Sequence, residues 1–130
     1  MKNYVMTLYC DMPTSPKIAS FERDTRIIDY EDFCRLKDLC ITEIDLWEIV
    51  NIGGGYLMLV AEDGLLRELP INPLASLLYD SPNPYDCLVG DAVIVHRDEF
   101  NPEELRFLDE GEIEFIDGLL NKVIDEAGLR

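Results

Sequence analysis

Apolar and polar positions along this 130-residue chain change their period several times, and each change marks an element. From Tyr4 to Cys10, residues Val5, Thr7 and Tyr9 alternate with Tyr4, Met6, Leu8 and Cys10. Both faces are apolar enough for a strand buried within a sheet. Met12 to Pro16 should break it, because proline lacks a donor and pushes its neighbour out of the helical region. Residues 11–28 therefore read as an irregular insertion, with room for a short edge strand around Ile18 to Phe21. A helical stripe follows from Asp29 to Cys40. Asp29 can cap it, Glu31 and Asp32 suit its N-terminal dipole, and Tyr30, Phe33, Cys34, Leu36, Leu39 and Cys40 form its apolar side.

The period shortens again at Ile41. Ile44, Leu46 and Val50 point one way and Glu43 and Asp45 the other, as in a half-buried strand. Gly53, Gly54 and Gly55 predict a turn with positive φ. Tyr56 to Ala61, apolar on both faces, should be a central strand. Asp63-Gly64 is a strong hairpin signal, returning the chain through Leu65, Leu66 and Leu69. Asn72-Pro73 predicts a short helix with Asn72 as its cap. Cys87 to His96 reads as another strand, with Val89, Val93 and Val95 on one face, Asp91 interrupting it, and Gly90 marking a bulge or a close backbone approach. Asn101-Pro102 could open one helical turn. The surest helix starts after Asp109, which has capping-box spacing with Glu112. Ile113, Ile116, Leu120, Val123 and Ala127 follow at helical intervals, with Phe115, Leu119 and Ile124 on the shoulders. The sum is a single α+β domain over residues 1–130. It should be a mostly antiparallel sheet of four or five strands with two main helices packed on it, at 29–40 and about 109–127.

Composition alters this picture little, but charge adds to it. The chain is 48% apolar and 29% charged, ordinary for a globular protein, and its length allows roughly two thirds of the unfolded surface to be buried. The net charge is −16, and it is uneven: −1 over residues 1–40, −7 over 41–97 and −8 over 98–130. Such a field repels nucleic acid and anionic membrane and favours a basic protein, including a nucleic-acid-binding one. Cys10, Cys34, Cys40 and Cys87 show no ligand spacing, and His96 is the only histidine, so neither a metal nor a cofactor is expected. Free thiols, no leader-like N-terminus and no bilayer-length apolar window point to a cytoplasmic protein.

Several residue groups could carry chemistry. The glycine run could cradle phosphate, but a strand follows it where a helix N-terminus is required, so a turn is the better reading. Cys87, His96 and Asp98 could form a nucleophile, base and acid. Nine residues of one extended strand would hold the first two about 30 Å apart. Nine acids between Asp98 and Asp117 face Arg106 alone and lack the pattern of a calcium loop. Glu103, Glu104, Glu110 and Glu114, with Glu43 and Asp45, could instead form a partner-binding surface. If aligned in rows they could mimic a nucleic-acid backbone. Trp47, on the side of Glu43 and Asp45, could anchor that surface or lie under the N-terminal segment. Asn72 and Asp91, polar groups at strand and helix ends, could mark a pocket beside the glycine corner for a small molecule or nucleotide.

The run Glu62 to Asn72 (EDGLLRELPIN) with the following NPLAS, the strand Tyr85 to Val95 (YDCLVGDAVIV) and the closing Phe107 to Leu120 (FLDEGEIEFIDGLL) resemble the domain-of-unknown-function 3846 family. The resemblance spans residues 29–125. It implies a small protein of bacteria, phages or conjugative elements and carries no catalytic residue. On this reading the chain is a non-enzymatic binding protein that engages a host macromolecule, with a nucleic-acid-mimic or counter-defence role among its options. The alternative is a small-molecule or nucleotide binder, or an enzyme, using the pocket near Asn72 and Asp91.

Overall fold

The computed structural model describes residues 2–39, 47–62, 67–79 and 87–128. Within them lie six strands and three helices. In chain order these are β1 (Lys2–Tyr9), β2 (Met12–Glu22), α1 (Tyr30–Leu39), β3 (Trp47–Gly53), β4 (Tyr56–Ala61), α2 (Pro73–Tyr79), β5 (Ala92–Arg97), β6 (Leu105–Arg106) and α3 (Glu110–Glu126). The sheet runs β2-β1-β5-β4-β3 with every pairing antiparallel. β1 covers Ala92 to Ile94 of β5, and the short β6 pairs with the next stretch through His96 and Arg97. A bridge between Tyr4 and Leu108 continues β6 alongside β1.

Alternation along the central strands sorts the core into two layers. Val5, Leu57, Leu59, Val93 and Val95 face one way and pack with Phe21, Ile28, Leu36 and Phe107, under α1. Met6, Leu8, Met58, Val60, Ala92 and Ile94 face the other and pack with Leu74 of α2 and Ile113, Ile116, Leu120 and Ile124 of α3. Helices thus cover both faces, which is why β4 and β5 read as continuous apolar runs rather than alternating ones. The fold is α+β as expected, with three helices rather than two main ones.

The segment 11–28 is not an irregular insertion. Its first half is β2, which pairs with β1 from Lys2–Glu22 to Thr7–Lys17. The register slips between Thr7 and Tyr9, so residues 13–16 bulge against Leu8. Both prolines, Pro13 and Pro16, fall in that bulge, on an edge strand where a missing N–H costs least. The strand expected over Cys87 to His96 also shortens: it begins at Ala92, because Gly90 turns with φ 75° and only Val89 bridges, to Ile71. Cys34, placed by its helical spacing on the apolar side, is exposed, and so is Cys87. The Asp63-Gly64 turn, Leu65, Leu66, Cys40, Glu43, Asp45, Ile44 and Leu46 lie outside the described residues.

The caps behave as their sequences predict. Asp29 Oδ1 accepts from the Asp32 amide while Asp32 Oδ2 accepts from the Asp29 amide, and Arg23 pairs with both carboxylates. At α3, Asp109 and Glu112 make the reciprocal capping box.

Candidate functional site

The end of the sheet where β3 turns into β4 and β5 runs out collects the polar chemistry of the molecule. Gly53, Gly54 and Gly55 have φ of 93°, 64° and 85°, the left-handed region that only glycine enters freely. Gly55 has a second requirement: a Cβ there would come 2.5 Å from His96 Cε1. His96 lies flush against the corner. Its Nε2 is 3.2 Å from the Gly54 carbonyl and its Nδ1 2.5 Å from the Arg97 carbonyl, so whichever nitrogen carries a proton donates to backbone. Tyr56 meets the imidazole edge-on at 4.7 Å and stacks on Phe115 at 5.8 Å with 18° between the rings.

Behind His96 sits a buried cation. Arg106, 6% exposed, donates from Nη1 and Nη2 to the two oxygens of Glu112 at 2.7 and 2.9 Å. Its Nε and Nη2 reach Glu99 at 3.2 and 2.5 Å, and Nη1 also donates to the Phe107 carbonyl. One guanidinium therefore forks to two carboxylates, the arrangement arginine's planar geometry favours. Burial works against ionising Glu112. The Arg106 hydrogen bonds and the Asp109 amide outweigh it and hold the carboxyl below the usual glutamate range. Arg106 does the same to Glu99, chiefly by its hydrogen bonds. Tyr56 is pushed the other way, by burial first and then by the nearby charge of Glu112. Glu112 also lies 3.7 Å from His96 Nε2, which joins the cation to the glycine corner.

Glu99 belongs to the loop 98–104 between β5 and β6, and this loop is tightly built. The Asp98 amide donates to the Glu104 carbonyl and the Glu104 amide to the Asn101 carbonyl, both at 2.9 Å. Asp98 Oδ2 accepts from the Asn101 amide at 2.8 Å, and Asn101 Oδ1 from the Glu103 amide at 3.3 Å. Arg97 Nη1 donates to the Pro102 carbonyl at 2.7 Å. At the tip, Phe100 is 96% exposed. The helical turn expected at Asn101-Pro102 is thus an Asx-closed loop that presents an aromatic ring to solvent among acids.

On the other side of Tyr56 is a cavity of about 350 Å³. The hairpin supplies Ile52, Gly53, Gly54 and Tyr56. Leu78 of α2 and Phe115, Ile116 and Leu119 of α3 complete the wall.

Glu43 and Asp45 lie outside the described residues, and the other residues expected to form a site are not gathered in one place. Glu103 and Glu104 are exposed on the 98–104 loop, and Glu110 and Glu114 are exposed on the first two turns of α3. Trp47 does not join them. It is half-buried against the core layer under α1, so the sheet separates it from α3. Asn72 is not among the residues that line this cavity. It is fully buried, its Nδ2 donating to the Leu8 and Gly90 carbonyls at 2.9 Å while Oδ1 accepts from the Ala75 amide. Asp91 accepts from the Cys10 amide at 2.9 Å and serves as a clasp between β1 and β5. Burial, then Asp91, pushes the Cys10 thiol up to about 11.

Sequence reasoning missed Phe100, Tyr56, Phe115 and the pairing of Arg106. One signal was available: a lone arginine within nine acids is more economically read as their buried counter-ion than as a surface charge. Among the described residues, no three His, Cys, Asp or Glu are grouped to hold a metal ion, and no helix is long and apolar enough to cross a membrane. Compared with protein-family models, curated proteins and solved structures, the chain finds no match in any of the three.

Proposed function

We propose that the chain is a non-enzymatic binding protein of the cytoplasm that engages a basic protein through the 98–104 loop. The observation that carries this reading is Phe100, an almost fully exposed aromatic held on a loop with its own hydrogen-bond frame. A large ring carried on backbone that is already ordered requires less ordering on docking, which is the character of an interface anchor. The surrounding acids Asp98, Glu103 and Glu104 and the overall charge of −16 supply steering toward a cationic surface. Nucleic-acid mimicry fits less well, since Arg106 neutralises Glu99 and Glu112 and interrupts any carboxylate row. A phage or mobile-element origin, with a host protein as target, is part of the proposal and rests on the resemblance of residues 29–125 to the domain-of-unknown-function 3846 family.

The test uses three baits against host lysate at low and high salt: the native chain, Phe100→Ala, and Glu103→Lys with Glu104→Lys. The native chain should retain basic proteins at low salt that both variants lose, while all three unfold at the same denaturant concentration. Equal capture by Phe100→Ala and the native chain would count decisively against the loop.

A further inference from the structure

We infer that the cavity beside the glycine corner is a second, independent binding site that takes a small, planar, uncharged aromatic molecule. Its volume of about 350 Å³ lies at the low end of ligand pockets, which restricts it to a ring system of one or two rings. The lining explains the preference for aromatic shape. Phe115 and Tyr56 are already stacked at 5.8 Å, and Phe115 is 58% exposed, so one broad ring surface faces outward beside the opening. Leu119 and Leu78 add aliphatic walls, and the buried Ile116 forms the base. An aromatic guest gains stacking and burial there that an aliphatic one of equal size gains only in part.

Two of its lining residues, Gly53 and Gly54, carry no side chain and hold left-handed backbone, and a Cβ built on Gly53 meets nothing within 4 Å. The wall is also pinned from behind, since His96 contacts the Gly54 carbonyl and Tyr56 rests on His96. A cavity whose rim is held by backbone and a ring contact is formed before the ligand arrives, which spares the cost of ordering it.

Charge decides which aromatics fit. Glu112 lies 3.7 Å from Nε2 of His96, the ring on which Tyr56 packs, and the whole chain carries −16. Behind this wall Arg106 is committed to Glu99 and Glu112, and Arg97 donates its Nη1 to the Pro102 carbonyl. An aromatic carboxylate would enter against that field, whereas an uncharged ring loses nothing.

Indole and indole-3-carboxylate, titrated into the isotopically labelled full chain, test this by backbone amide shifts. Indole should give saturable shifts at Gly53, Gly54 and the α3 amides around Phe115, and the carboxylate should bind at least tenfold more weakly. Phe115→Ala, at an exposed position, should weaken indole about tenfold, and Leu119→Trp, which fills the cavity, should abolish the shifts. Phe100→Ala should leave indole binding unchanged, so this inference and the loop reading fail separately. Absence of saturable shifts up to the solubility of indole overturns the assignment. So does equal binding to native chain and Leu119→Trp, or equal affinity for the carboxylate.

Discussion

Replacing Arg106 with methionine keeps most of the aliphatic stem and removes the charge from the centre of the Glu99–Arg106–Glu112 group. The Glu99 arm is solvent-exposed and should matter little, since exposed pairs are screened. The Glu112 arm is different: its side chain is 15% exposed and loses two charge-assisted hydrogen bonds at once. Removing one partner of a buried pair costs about 3–5 kcal/mol, and residual solvent contact together with the surviving Asp109 amide places this case near the lower bound, about 3 kcal/mol at pH 7. That is a large part of a typical domain's stability of roughly 5–15 kcal/mol. The pH dependence carries the diagnostic sign. In the native chain Glu112 is held below its ordinary value, so its contribution is fully present above the unfolded value near 4.5 and is lost as pH falls through the folded value. In Arg106→Met the carboxyl is buried without its cation and rises instead, so acidification relieves the strain. The stability gap measured by denaturant unfolding should be widest near neutral pH and shrink toward pH 4. Adding Glu112→Gln should bring the double variant within about 1 kcal/mol of native, because glutamine still accepts from the Asp109 amide in a capping box. A gap under about 1 kcal/mol at pH 7, or one that stays constant between pH 7 and 4, would refute this account.

Three further outcomes can be checked directly. Gly55→Ala should destabilise by about 2 kcal/mol or more, since the left-handed backbone strain is joined by a clash with the His96 ring; Gly53→Ala, strained but in open space, should cost about 1 kcal/mol in the same denaturant assay. Asn72→Ala should cost about 3 kcal/mol, because the Leu8 and Gly90 carbonyls lose a buried donor and α2 loses its cap, and equal stability of variant and native chain would contradict that bonding role. Cys10, with its thiol pushed up to about 11, should hold on the order of a hundredfold less thiolate at pH 8 than an ordinary cysteine. Peptide-resolved alkylation should then label exposed Cys34 and Cys87 at least tenfold faster.

Much of the fold was legible because it rests on local rules. The Asp109–Glu112 box, the Asn72 cap and the Asp29 cap are each written within four residues, and the structure places each helix start beside them. The glycine turn followed from three adjacent residues that tolerate positive φ. β2 was hidden because its two prolines signal a break, and only pairing with β1 shows that the break is a bulge on an edge strand. Asn72 shows the limit within one residue: its cap role is local, whereas its two further bonds join residues 64 and 18 positions away.

The candidate site was less legible for the same reason. Sequence alone determined that the chain is strongly acidic, that its last third concentrates the acids, and that one arginine stands among them. Tertiary structure decided which acids are paired: Glu112 inside and Glu99 at the surface both hold Arg106, while Glu103, Glu104, Glu110 and Glu114 stay exposed. It decided that Trp47 packs half-buried against the core while Phe100 points into solvent. It also brought Tyr56, His96 and Phe115 from β4, β5 and α3 into one stack. A helical period or a cap is enforced by neighbours along the chain, so it can be read from them. A buried ion pair or a ring stack is enforced by whichever residues the sheet order brings together, and here that order sets β1 between β2 and β5.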